Sequence, residues 1–371
     1  MTSKLDTLCA YAKSKVAVDT LTVKNYVSTE NMIPDKCGIT DASSLPSVQY
    51  TQQYLRDDVL VSNIRPYFKK IWKAEYDGGC SNDVLVFRAK DNCDPTFLFY
   101  LLADDNFFNY ATATAKGTKM PRGDKSAIMQ YDVPAFDIDT QQKIGALLWS
   151  IDQKIRLNNQ INENLQQQAA AIFKAWFVDF IQFGGTMPPD WITNTLGSVT
   201  EMGAGGDKPK KISPVKTPLC PYPIYSNGIS DYGLYGYTNE PKIKVESVTV
   251  SARGTIGYVC LRHIPYVPIV RLVTMIPDTN MLSAKYLYLY LCQLHISGTG
   301  TTQQQLTVPD FRKTEIIIPD KTTMDSFTET VTPLFEQLWA NEEENLKLIE
   351  MRDALLPKLM SGEIDVSDIQ L

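Results

Sequence analysis

Residues 141–180 read QQKIGALLWSIDQKIRLNNQINENLQQQAAAIFKAWFVDF. Apolar or seam positions recur at Ile144, Leu148, Ile151, Ile155, Asn158, Asn162, Leu165, Ala169, Ile172 and Trp176. Steps of four and three alternate, the spacing that keeps one stripe on one helix face. No Pro or Gly interrupts residues 146–183, so the stretch predicts one long helix. Adding 183 to each number reaches Phe327, Val331, Leu334, Leu338, Asn341, Asn345, Leu348, Arg352, Leu355 and Leu359, the same stripe near the end of the chain. A period of half the chain is an internal duplication. Asn158 aligns with Asn341 and Asn162 with Asn345. An amide in a seam costs stability and penalises other registers, so these four residues are expected to specify helix pairing. Pro333 and Pro357 interrupt the second stripe and predict a late start or a kink there.

The repeat extends upstream of both helices. Gly117–Phe136 and Gly298–Asp320 each carry a Gly-Thr turn, a polar loop, an apolar cluster and a proline, Pro134 or Pro319. Val59–Phe68 matches Val248–Val259: each is a short alternating strand ending in Ser62 or Ser251, followed by an arginine and a turn. Strand-like runs (Val84–Phe87, Val248–Val250, Glu315–Ile318) mix with helix-like runs (Phe97–Ala111, Ala284–Ser297) in both halves. The expected class is α+β, a tandem duplication of two globular domains with mainly antiparallel strands, each followed by a long helix. The expected divisions are 1–140, 141–183, 184–322 and 323–371, with Gly184–Trp191 as a Gly/Pro-rich linker.

Composition narrows the function. A chain of 371 residues, 44% hydrophobic and 21% charged, belongs with folded proteins of two or three domains. No apolar run approaches the ~20 residues that span a bilayer, and Met1–Ala10 has no signal-peptide core. Seven scattered cysteines without a Cys-x-x-Cys pair fit reduced thiols and a cytoplasmic setting. Only two histidines, His263 and His295, argue against a zinc site or a Ser/His hydrolase. Gly203–Lys208 lacks the spacing and the Ser/Thr of a P-loop. Met187-Pro-Pro-Asp190 lacks the flanking residues of an amino-methyltransferase motif. No catalytic, cofactor or metal residues are therefore expected in this chain.

The net charge of −6 is unevenly spread. Residues 321–371 hold 4 Lys/Arg against 11 Asp/Glu, a net of −7, which leaves +1 for the rest. A near-neutral remainder with basic clusters is compatible with nucleic acid.

Four stretches together resemble the specificity subunits of type I restriction–modification systems. They are Met351-Arg-Asp-Ala-Leu-Leu-Pro-Lys-Leu-Met-Ser-Gly-Glu-Ile364, Ile151-Asp-Gln-Lys-Ile-x-Leu-Asn158, Trp191 with Leu196-Gly197, and Ser251-x-Arg253-Gly254-Thr255-Ile256-Gly257. The first half lacks the Trp and Leu-Gly opening of the second. The resemblance implies two target-recognition domains that read a split DNA sequence, and two helices that pack as an antiparallel coiled coil and act as a spacer. It also implies two methyltransferase subunits using S-adenosylmethionine to methylate adenine, and restriction subunits using ATP and magnesium. A helix of about 35 residues is roughly 50 Å long, more than one turn of B-DNA. One inserted heptad is then expected to lengthen the unread gap in the target.

Contact candidates follow from side-chain chemistry. Arginine pairs with guanine, glutamine or asparagine with adenine, and lysine with phosphate. In the first half these are Arg65, Lys69, Lys70, Lys119, Arg122 and Lys125, with Pro66, Tyr67 and Phe68 beside the first set. In the second half they are Lys208, Lys210, Lys211, Tyr225, Asn227, Arg253, Gln303, Gln304 and Gln305. Ile172, Phe173, Trp176, Phe177 and Phe180 exceed what a two-helix seam needs. Phe173, Trp176 and Phe177 are expected to dock a methyltransferase partner. The alternatives are a coiled-coil scaffold that reads no DNA, and an enzyme in its own right.

Overall fold

The computed structural model describes residues 2–296 and 305–367. It divides into two units: one formed by residues 1–158 with 342–371, the other by residues 159–341. Each long helix gives one end to each unit.

In the first unit the strands run Cys9–Tyr11, Val84–Ala89, Val59–Ser62, Ile71–Lys73 across one sheet, every pair antiparallel. A second sheet runs Lys15–Ala17, Tyr50–Tyr54, Gly78–Cys80, Tyr26–Val27, and its last pair is parallel. Thr2–Lys4 pairs with Asp132–Pro134 just ahead of the central helix. The second unit repeats this plan. Its main sheet runs Thr200–Ala204, Val273–Pro277, Ser247–Val250, Val259–Arg262, all antiparallel. A smaller sheet again holds a parallel pair, Tyr222–Tyr225 with Val267–Pro268. Ile192–Thr195 pairs with Glu315–Ile318 ahead of the C-terminal helix. The α+β duplication read from the sequence is the architecture observed.

The long helices span Ile138–Phe177 and Lys321–Ser361. The first begins before residue 141 because Asp137 caps it, accepting from the Thr140 N–H at 2.8 Å. Asp320 caps the second from the equivalent place, accepting from the Thr323 N–H at 3.0 Å. The first helix stops at Phe177 rather than 183. Phe180 adopts a left-handed φ of 51°, and only a short 3-10 turn, Ile181–Phe183, follows. The expected late start or kink of the second helix gives way to one helix through both prolines. Pro333 and Pro357 are exposed, so the missing N–H groups fall on the solvent side, where water can satisfy the carbonyls left over.

Both long helices contribute to the core of each unit. In the first unit Ile144, Leu148, Leu356 and Leu359 join Val59, Phe87, Phe97 and Phe107. Gly145 is required at the closest approach: a Cβ there would lie 2.9 Å from the Phe97 nitrogen and 3.0 Å from the Asp94 carboxylate, the cap of helix Pro95–Ala103. In the second unit Phe173, Phe177, Phe327 and Val331 pack with Trp191, Tyr286 and Leu287. Thr328 occupies the place of Gly145 and bonds Ser283, the cap of helix Ala284–Gln293, at 2.9 Å.

The seam amides pair crosswise. In the first unit Asn158 Nδ2 donates to Asn345 Oδ1 at 2.9 Å and to Glu344 at 2.8 Å. In the second, Asn341 Nδ2 donates to Asn162 Oδ1 at 2.8 Å. Residue numbers rise along one helix as they fall along the other, so the helices run antiparallel. Repeat-equivalent asparagines therefore meet each other's neighbours instead of each other. In the first unit Arg352 adds an ion pair to Asp152 at 2.8 Å, and Tyr100 donates to the same carboxylate at 2.6 Å.

Candidate nucleic-acid interface

In both units the hairpin loop that leaves the inner strand of the main sheet is laced to a strap ahead of a short capped helix. The first-unit loop follows Val59–Ser62. Ser62 N–H donates to Lys70 O at 3.0 Å, closing residues 63–69 into a loop. Gly123 N–H then donates to Asn63 O at 3.1 Å, which ties on the strap, and Asp124 caps helix Lys125–Ile128. The second unit repeats every bond. Ser251 N–H donates to Tyr258 O at 2.9 Å, Leu306 N–H donates to Ala252 O at 3.1 Å, and Thr307 caps helix Val308–Phe311. The two edges share a backbone plan and differ in their side chains.

On the first edge Arg65 sits at a left-handed φ of 50°, with its N–H donating to Pro121 O at 2.8 Å. Its Nε is buried without a hydrogen-bond partner among the described residues, and its guanidinium lies 6.0 Å from the Phe68 ring. Tyr67 and Phe68 are exposed beside it. Arg122 is held by Asp83, its Nε and Nη2 donating to the two carboxylate oxygens at 3.2 and 3.3 Å. Lys69 and Lys36 share Asp105 at 2.8 and 2.7 Å, which holds that carboxyl below its usual range against the opposing effect of burial. Lys70 is turned inward: its ammonium donates to Thr29 O at 2.6 Å, and burial lowers its pKa. Lys119 and Lys125 are exposed. Lys70 is thus an internal tie, while Arg65, Lys119, Arg122 and Lys125 remain on the edge.

On the second edge Arg253 donates Nε and Nη2 to Gln305 Oε1 at 3.2 and 3.0 Å. Gln305 lies on the strap where Arg122 lies in the first unit. Lys208 extends over the Tyr235 ring at 4.2 Å, and Lys210 and Lys211 are exposed. Two of the expected readers serve the fold instead. Asn227 accepts from the Ala252 N–H at 2.7 Å and donates to Val270 O at 2.7 Å, bracketing two loops. Tyr225 lies under the Arg262 guanidinium at 3.6 Å and packs on Tyr266, and burial raises its pKa. Gln303 and Gln304 lie outside the described residues.

For Phe173 and Phe177 the expected docking role is corrected by burial. Phe173 and Phe177 are 1% and 4% exposed, and Trp176 packs on Phe177 and Phe327. Phe173 and Phe177 are spent inside the second unit's core, while Trp176 is half-buried against its margin. The seam stripe points to 172 and 176, but the buried face near the helix end moves to 173 and 177.

Sequence reasoning passed over two residues. Asp83 carries Arg122, yet an isolated acid gives no signal in a search for cationic contacts. Arg271 lies at a left-handed φ of 60° on the corresponding turn of the second unit, facing a cleft of about 450 Å³ with Gly205, Gln305 and Thr307. Its N–H donates to Gly205 O at 2.8 Å, so its place depends on a pairing distant in sequence. Among the described residues no three His, Cys, Asp or Glu side chains gather as metal ligands would, and no helix is long and apolar enough to cross a membrane.

Residues 47–167 and 188–350 match the family model described as type I restriction modification DNA specificity domain. The type I restriction enzyme HindI specificity subunit of Haemophilus influenzae is 25% identical, covering 91% of this chain and 94% of that protein. The MjaIX specificity subunit of Methanocaldococcus jannaschii is 25% identical over 76% of this chain and 71% of that one. Among solved structures, the type I restriction–modification S subunit from M. genitalium shares the fold, with a TM-score of 0.65 at 17% identity over 97% of this chain and 96% of that one. With both halves matched in order, the chain belongs to the family of type I restriction–modification DNA specificity subunits.

Proposed function

We propose that this chain reads a two-part DNA sequence, one part per unit, and directs adenine methylation and restriction by partner subunits without catalysing either. The observation that carries the reading is the duplicated loop-and-strap edge, the same backbone bonds presenting Arg65, Tyr67, Phe68 and Arg122 in one unit and Arg253 with Gln305 in the other. A shared scaffold with different polar side chains is what two unlike half-sites call for, because phosphate contacts position a protein while base edges are read by individual side chains. Two copies of a methyltransferase subunit follow from two equivalent units. S-adenosylmethionine belongs to that partner, and ATP with magnesium to a restriction partner. Seven scattered cysteines, none in a Cys-x-x-Cys pair, support a cytoplasmic setting.

The test is co-expression with a methyltransferase partner, followed by sequencing that detects modified adenines. A split motif that appears only with this chain, and changes in one half when residues 190–320 are exchanged, supports the reading. Stable co-purification without methylation supports a scaffold instead.

A further inference from the structure

We infer that Arg122 and Arg253 each read a guanine, one in each half-site, and that Asp83 and Gln305 are the positioning residues that aim them. The inference rests on the DNA-reading role proposed above and specifies its chemistry. A guanidinium has five N–H donors in a fixed plane. In Arg122 the Nε–Nη2 edge is occupied by the Asp83 carboxylate. In Arg253 the same edge is occupied by the Gln305 amide oxygen. Both arginines thereby direct the Nη1–Nη2 edge away from the buttress, with two parallel N–H bonds available to it. That is the donor pair that matches guanine O6 and N7 in the major groove. The Arg122 side chain is 54% exposed, so the edge is reachable.

The arrangement is duplicated although the residues are not. In the first unit the arginine is on the strap and its buttress on the turn before strand Val84–Ala89. In the second the arginine is on the hairpin loop and its buttress on the strap. A fold brace conserved through duplication would keep the same residues in the same places; here the edge geometry is kept while donor and acceptor move. The buttress restricts the rotamers of a long side chain before DNA arrives and reduces the ordering cost of binding. A phosphate contact, by contrast, needs only charge, and Asp83 beside Arg122 would weaken it.

The test is selection of bound duplexes from a random-sequence pool by the full chain, assembled with its methyltransferase partner, at several salt concentrations. Arg122→Ala is expected to relax one guanine position in one half of the motif, and Arg253→Ala one in the other. Each loss of discrimination should be about ten- to hundred-fold. Asp83→Asn should weaken discrimination at the Arg122 position alone, and Asp83→Glu should restore part of it, a positional readout that a merely structural role would not move. Circular dichroism confirms that each variant is folded. Uniformly weaker binding with the motif kept and the salt slope lowered by about one would make the arginines phosphate contacts and overturn the inference. An unchanged motif would make them braces, also overturning it. A wild-type assembly that selects no motif would instead overturn the DNA-reading role itself.

Discussion

Asn158 donates its amide to the side-chain oxygen of Asn345 at 2.9 Å, in a seam where the two residues are 0% and 8% exposed. Replacing Asn158 with Leu removes this bond and sets an apolar group against Asn345 and Glu344. We expect a loss of about 1–3 kcal/mol in thermal or urea unfolding. Replacing all four seam asparagines by Leu should recover stability and loosen register, since the amides disfavour other pairings. Disulfide cross-linking between cysteines placed along the two helices reads that register, and a single cross-linking pattern in the four-Leu chain would contradict the role assigned to the amides.

Arg352 stands on the stripe where its repeat counterpart is the buried Ala169. The first unit uses the position for an ion pair to Asp152, which also accepts from Tyr100. Arg352→Ala should lower stability by about 1.5–3 kcal/mol, the usual range for a hydrogen bond to a charged group in partly buried surroundings. Arg352→Lys should recover part of the loss. Unfolding midpoints of the two variants against the parent check this.

Phe173 contacts the rings of Phe177, Tyr286 and Phe327 within the second core. Phe173→Ala leaves a cavity and should cost about 3–5 kcal/mol, measured by denaturant unfolding. The cost should appear in probes of the second unit. Unchanged stability with weakened partner co-purification would restore the docking role that the sequence suggests.

His263 stacks flat on Trp339, centroids 4.0 Å apart at 15°. Although His263 is exposed overall, desolvation of its imidazole against that ring, with the positive Lys285 and Arg262 nearby, pushes its pKa from 6.5 down to about 4. Glu246 faces the same cluster but is paired with Lys285. The unfolded chain then binds the proton at a higher pH than the folded one. The contribution of His263 is fully present above pH 6.5 and is lost as pH falls from there towards 4. Replacing His263 with Phe should flatten this part of the stability–pH curve, read by thermal unfolding at steps between pH 7 and 4. An equally steep curve in the variant would contradict the assignment.

The amino-acid sequence alone determined the duplication, the two long helices, the seam asparagines and the family. All of these rest on spacing along the chain: a four-three stripe is local, its recurrence 183 residues later is arithmetic, and Met351–Ile364 is contiguous. Tertiary structure decided which polar groups are spent inside the fold. Asn227, Tyr225 and Lys70 look like surface readers in sequence, yet each is consumed by a partner 35 or more residues away: Asn227 by Val270, Tyr225 by Arg262 and Lys70 by Thr29. The seam partners were likewise settled only by chain direction, which pairs Asn158 with Asn345 where repeat alignment sets it beside Asn341. Asp83 and Arg271 gain their places from turns that meet the strap in space. Most buried polar groups find a partner. The identity of that partner depends on which backbone passes nearby, and local periodicity carries no record of it.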